Sequence, residues 1–323
     1  MILVKTPYRI SFFGGGSDYP QWYNKYEGEV VSTTIDKFVY LNIKNLPKFF
    51  NHNYRVSYSK IEEVKKISEI KHNAVRAALK YKKIKDFIEI HYAGDLPARS
   101  GMGSSSSFVV GLLNALNFFK NNKLSKNNLA KESIFFEQKI LNEVVGCQDQ
   151  IASAYGGFNF IKFKKNKFLL NSFNNEKIKK KLNDNLVLLY TGKQRFAHEI
   201  ARKFVNKLTS SKKKEILNIL NLVKLSKKIL KSGNLNEFGL LLDESWSIKK
   251  SLDRSISNSV LEHIYSKGKD CGAIGGKLLG AGAGGFFLFY VPIEKKKYFV
   301  KKMSPLVNIP FKFSNIGSSI IKI

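Results

Sequence analysis

A chain of 323 residues with 43% hydrophobic and 13% aromatic content holds enough apolar material for one large or two ordinary cores, which excludes a disordered segment. No apolar run approaches the ~20 residues that cross a bilayer, and two cysteines, Cys147 and Cys271, build neither a disulfide framework nor a zinc knuckle. The net charge of +30 is carried by 48 Lys and only seven Arg, a compositional drift that spreads lysines over solvated faces, whereas base readers and bidentate phosphate clamps favour Arg. A nucleic-acid-binding protein would therefore rest on charge alone, while weak attraction for anionic small molecules follows directly. MILVKTPYRISFF has no basic region followed by a small-residue cleavage site, so a cytoplasmic protein without signal peptide or membrane segment is expected.

In chain order, KTPYRISFF, GEVVSTTI, KFVYLNIK and YRVSYS read as strands, and a helix follows at about 72–83. FIEIHYA alternates like a strand and leads through GDLPARSGMGSSSS into the apolar helical run FVVGLLNALNFF. Ser125 can cap a helix reaching about Glu143, with a short one after Gly146. GGFNFIKFKKNKFLL reads as a hairpin, DNLVLLYTG as a strand, and two amphipathic helices at about 212–231 and 234–253 are broken at Gly233. A helix at about 257–267, a loop and strand in KLLGAGAGGFFLFYVP, a helix near 294–303 and terminal strands complete an α+β chain. Two halves, 1–180 and 181–323, are expected.

The loop Pro97-Ala-Arg-Ser-Gly-Met-Gly-Ser-Ser-Ser-Ser107 carries the strongest signal. Gly101 and Gly103 let the backbone turn tightly and approach a ligand, and Ser104, Ser105 and Ser106 open a helix whose free N–H groups make an anion site. A capped helix would need one serine; four behind two glycines point to phosphate. It is not a Walker A loop, since Gly276-Lys277 is followed by Leu278. Gly280-Ala-Gly-Ala-Gly-Gly285 has the letters of a dinucleotide fingerprint but precedes a strand, not a helix. Protein-kinase signatures are absent.

These residues resemble a family. PARSGMGSSSS is similar to the phosphate-binding motif of the GHMP kinases (galactokinase, homoserine kinase, mevalonate kinase and phosphomevalonate kinase), TPYRISFFGGGSDYP resembles their first motif and KLLGAGAGG their third. All three stand in the family's order, and the resemblance spans Thr6 to Phe289. It implies an N-terminal ATP-binding domain like the second domain of ribosomal protein S5, a ferredoxin-like C-terminal domain, and ATP and substrate between them.

The resemblance also implies roles. Asp149, in GCQDQIASAYGG, matches the family residue facing the accepting hydroxyl, as proton acceptor or as orienting group, although an Asp there could simply cap a helix. Arg9 matches a fixed cation on the first strand that eases ionisation of that hydroxyl. Ser105 and Glu137 occupy the family's Mg²⁺ positions, with Glu143 the competing carboxylate. Asp18 matches a residue that accepts hydrogen bonds from sugar hydroxyls, and Gly15, Gly16 and Gly282 are expected against the substrate. Gly15 and Gly16 stand where galactokinases carry a Glu-His pair. GGGSDYPQWY, GCQDQIASAYGGFNFI and YTGKQRFAHEI look most like the heptose kinases that phosphorylate D-glycero-D-manno-heptose 7-phosphate at the anomeric oxygen. Arg195 would then grip the substrate's phosphate, or be an ordinary first-turn helix residue. L-fucose- and glucuronic-acid-type kinases and a sugar sensor are the rival readings. The oligomeric state, a homodimer included, stays open.

Overall fold

The computed structural model describes residues 1–165, 167–192 and 197–322. Its first sheet grows from two long antiparallel strands, β1 (Ile2–Phe13) and β2 (Gly28–Asn45), bridged by the short helix α1 (Pro20–Tyr23). GEVVSTTI and KFVYLNIK, read as two strands, form the single strand β2, because Asp36 between them stays extended. Register shifts between Pro7 and Arg9 and between Ser11 and Phe13 bend β1 where its side chains meet the cleft.

Next come β3 (Tyr54–Ser57), β4 (Ile61–Val64), α2 (Asn73–Tyr81) and β5 (Ile88–Gly94). The helices α3 (Ser104–Phe119), α4 (Lys126–Phe135) and α5 (Gln148–Tyr155) precede the hairpin β6 (Phe158–Lys164) and β7 (Lys167–Ser172). One end of β2 pairs with β6 and the other with β5, so the long strand serves two partners along its length. Apolar on nearly every side, α3 packs into the core against β1 and β2. The helix from Ser125 stops short of Glu143: α4 passes into a π-helical turn, Phe136–Ile140, and Asn142 takes a left-handed φ of 53°. Residues 141–147 are therefore irregular and form a wall of the cleft.

The second half holds α6 (Glu176–Asp184), β8 (Leu186–Tyr190), α7 (Ala197–Val205), α8 (Lys213–Ser232), α9 (Leu235–Leu252) and α10 (Ser259–Asp270). After them come β9 (Gly275–Leu278), β10 (Phe286–Tyr290), α11 (Lys296–Lys302) and β11 (Val307–Asn308). The sheet order β11-β8-β10-β9 places the fourth strand beside the first and the third beside the second, a ferredoxin-like arrangement. Gly233 ends α8 at φ 82°, as its position between two helical runs required. No helix among the described residues is long and apolar enough to cross a membrane.

The tail alters the expected division of the chain. The boundary near 180 falls between the two sheets, but β12 (Phe313–Ser314) pairs with β2 and β13 (Ser319–Lys322) with β1. Residues 313–322 thus belong to the first sheet rather than to a 181–323 domain, and they cover the edge that β1 would otherwise expose.

Aromatic packing joins the halves. Phe12 lies 5.4 Å from Phe158, 6.1 Å from Phe313 and 5.3 Å from Phe238 of α9. Phe12→Ala should therefore cost about 3–5 kcal/mol, the range for emptying a buried aromatic site. Chemical denaturation would show a lower midpoint; a loss under about 1 kcal/mol would mean that the ring does not hold the halves together.

Candidate active site

Segments from both halves of the chain converge on one cleft of about 340 Å³. Its lining comes from the bent end of β1 and the glycines after it, from the loop before α3 and its first turn, from the wall before α5, from β9 and the turn after it, and from one side of α7, α8 and α9 with Ile256 beyond it. The volume suits a small polar ligand.

At its centre Arg9 and Asp149 form a two-pronged ion pair. Arg9 Nε donates to Asp149 Oδ1 and Nη2 to Oδ2, each at 2.7 Å, while Nη1 donates to the Gly101 carbonyl at 2.7 Å. Arg9 is almost fully buried and Asp149 partly open to the cleft. The planar fork explains why this position needs Arg in a lysine-dominated chain: three donors in one plane hold a carboxylate and a loop carbonyl together. Neighbouring contacts fix the same elements, with Ser11 Oγ donating to Gln148 Oε1 at 2.8 Å and the Arg9 N–H to the Met102 carbonyl at 3.1 Å.

The four serines prove to have four different surroundings. Ser104 Oγ accepts the Arg99 N–H at 3.1 Å and closes the loop. Ser105 is exposed at the mouth of α3. Ser106 donates to Glu137, 2.8 Å from Oε2, and Ser107 donates to the Pro7 carbonyl at 2.9 Å. Gly103, at φ 76°, is the residue before α3, and a Cβ there would come within 3.3 Å of both Arg9 and Asp149. The first three serines, Gly101 and Gly103 all line the cleft at the positive end of α3.

Asp18 is buried beside Gly15 and Gly16, and its Oδ1 accepts the Gly16 N–H at 2.9 Å. Burial, with the nearby Asp149 charge second, pushes its carboxyl up to about 6. Gly146 presses on this carboxylate so closely that a Cβ would lie 1.9 Å from Oδ2. The glycine before the Asp149 segment is thus needed for a reason that sequence did not disclose.

Other expectations need correction. Ser105 and Glu137 do not act on one point: Glu137 is fully buried and bonded to Ser106 and Gln150, whereas Ser105 faces out of α3. Neighbouring positions of a helix point about 100° apart, so only one of the two serines can meet Glu137. Burial, then the charge of Glu143, pushes the Glu137 carboxyl up to about 8. The carboxylate residue that lines the cleft wall is Glu143. Gly282 packs against Ile256 at φ 126°, and Gly280 and Ala281 line the cleft in its stead. Arg195 lies outside the described residues.

Two lysines were missed. Lys249 Nζ donates to the Leu278 and Gly280 carbonyls at 2.7 and 2.5 Å, shaping the third glycine loop. Lys277 on β9 is buried and also lines the cleft. Among 48 lysines neither stands out by composition. The available signal was a lysine inside the otherwise apolar strand GGKLL, directly before glycines.

A glycine- and serine-rich helix mouth, a guanidinium-held carboxylate and the buried Asp18 share one cleft, an arrangement suited to a small-molecule phosphotransferase. The comparisons agree. The GHMP kinase N terminal domain matches residues 69–157 and the GHMP kinase C terminal domain residues 225–302. D-glycero-alpha-D-manno-heptose 7-phosphate kinase of Campylobacter jejuni is 31% identical over 317 residues, covering 94% of this chain and 93% of that protein. Mevalonate kinase of Methanocaldococcus jannaschii is 27% identical, covering 85% of each chain. The crystal structure of a D-glycero-D-manno-heptose 1-phosphate kinase from Bacteroides thetaiotaomicron shares the fold, with a TM-score of 0.80 at 23% identity, over 100% of this chain and 99% of that one. The chain belongs to the GHMP kinases and is an ATP-dependent phosphotransferase.

Asp18 yields a pH prediction. An ionised Asp18 that accepts hydrogen bonds from acceptor hydroxyls would make KM for the acceptor rise as pH falls through about 6. Asp18→Asn should bind weakly with no such slope. Initial rates between pH 5 and 8 test this; a flat wild-type KM would remove Asp18 from the substrate site.

Glu137 gives a second. Its folded pKa lies above its unfolded value of 4.5, so the stability it contributes is complete below 4.5 and lost as pH rises through about 8. Glu137→Gln escapes that loss, and its melting temperature relative to wild type should be higher at pH 8.5 than at pH 5. An unchanged difference would place the carboxylate in a wetter setting.

Proposed function

We propose that the protein transfers the γ-phosphate of ATP to the anomeric hydroxyl of a sugar that already carries a phosphate. The substrate would be D-glycero-D-manno-heptose 7-phosphate, giving the 1,7-bisphosphate for nucleotide-activated heptose synthesis. The carrying observation is the Arg9-held Asp149 facing the same small cleft as the phosphate loop, Asp18 and the unobstructed Gly15-Gly16 turn. Similarity over almost the full chain to a heptose 7-phosphate kinase supports the substrate class.

In this reading the first turn of α3 and the loop from Gly101 hold the ATP phosphates through backbone N–H groups. Asp18 fixes the sugar through its hydroxyls. Asp149 keeps a lone pair on each oxygen beyond the one given to Arg9, so it can accept the anomeric O–H. Because the transfer is loose, that proton moves late, and alignment contributes as much as basicity. Ser105 and Glu143, which both line the cleft, would be the one or two protein groups to hold Mg²⁺, which would supply charge neutralisation to the phosphates. Glu137, its oxygens engaged by Ser106 and Gln150, is not among them.

ADP release should appear with heptose 7-phosphate and Mg·ATP, and much less with the unphosphorylated heptose, L-fucose, galactose or mevalonate. Asp149→Asn should lower kcat by about 10²–10⁴ with little change in the KM for ATP. Turnover of L-fucose in preference to heptose phosphate would shift the assignment, and an unchanged kcat in the variant would leave Asp149 as a helix-start residue only.

A further inference from the structure

Lys277 has no part in the transfer as derived so far, yet its setting is unusual for a lysine. It is 6% exposed, it lines the cleft, and its Nζ donates to the Phe12 carbonyl of β1 at 2.5 Å and to Ser245 Oγ of α9 at 3.3 Å. An ammonium has three donors, so two are placed on protein oxygens and one is left for the cleft. Among the described residues it forms no ion pair with a carboxylate. The charge that acts on it across the domain boundary is a second cation, Arg9, whose own counter-ion is Asp149. From the side of α9 the cleft receives Ser245 and Lys249. Asp18, Glu143 and Asp149 line the same cleft, but a buried cation hydrogen-bonded only to neutral oxygens and acted on by another cation is poorly placed in an empty protein, and well placed once an anion enters.

We infer that Lys277 is an anion-binding residue of this cleft, taking an oxygen of a phosphoryl group, either the one ATP transfers or the one the sugar already carries. This deepens the kinase reading and rests on it. Burial, then Arg9, holds the Lys277 ammonium down to about 7, so near pH 8 it is largely uncharged before ligand enters. The arriving dianion reverses that balance, and a proton from solvent is taken up on Nζ as the anion binds. The bond to the Phe12 carbonyl adds a second effect. It ties the third glycine loop's strand to β1, so anion binding and the seating of one domain on the other draw on the same side chain.

Calorimetric titration of the full chain at pH 8 in two buffers of different ionisation enthalpy tests this, with Mg·ATP and heptose 7-phosphate added separately. Wild type should take up close to one proton with at least one of them, and the ligand that shows it identifies which phosphoryl group is held. Lys277→Met should take up none and lose about 100-fold in kcat/KM. Lys277→Gln is the control for a merely structural role, because its amide can still donate to the Phe12 carbonyl without charge. It should melt near wild type and yet be as slow as Lys277→Met. Recovery of turnover in Lys277→Gln, or no proton uptake by wild type with either ligand, overturns the inference. Should wild type turn over no sugar phosphate, the substrate reading fails by itself, and the Mg·ATP titration still decides for or against Lys277.

Discussion

The structure of the cleft depends on one guanidinium. Arg9 grips both oxygens of Asp149 and the carbonyl of Gly101, so a single planar group sets the distance between the first strand, the phosphate loop and the start of α5. A lysine could supply the charge but only a point of it; the three fixed directions would be lost. Everything nearby is arranged around that fork. Gly103 leaves room for it, Ser11 holds Gln148 beside it, and the bend in β1 after Pro7 delivers it. Desolvation makes the pair costly if broken, because each partner would be left as an uncompensated buried charge.

Around this pair stand groups that water would otherwise keep charged and that burial drives towards neutrality. Asp18 and Glu137 are carboxyls held above their ordinary range by burial, and Lys277 is an ammonium held below it for the same reason. Asp18 and Asp149 repel one another across the space that a sugar would fill. Hydroxyl donors placed between them relieve that repulsion, which favours a polyol over an apolar ligand without any specific shape requirement. Glu137 lies one layer further back, where Ser106 and Gln150 satisfy it.

Much of this was legible from residues 97–107, 9–18 and 277–285, because glycines at positive φ and serines at a helix start have few other reasons to occur together. The helix assignments between 213 and 252 followed from periodicity and one glycine. What stayed hidden depended on side-chain direction and on distant pairing. No spacing rule tells Ser105 from Ser106, since that depends on how α3 is rotated in its bed. Glu137 was assigned to the metal by resemblance, on a helix expected to run to about Glu143, but a π-turn and the left-handed Asn142 turned residues 141–147 into a wall and left Glu137 behind it. Lys277 and Lys249 were masked by the abundance of lysine. Gly282 was chosen by motif letters, while packing against Ile256 decided its place.

The strands β12 and β13 have a temporal meaning. β1 is made long before its neighbour β13, and the hydrogen bond between the Thr6 and Ser318 hydroxyls spans 312 residues. Until that segment emerges, the sheet carrying Arg9 has an open edge. The first sheet, though begun before the second, is therefore closed after it, and a ribosome that stalls between β11 and β13 leaves an unclosed sheet for chaperones to guard.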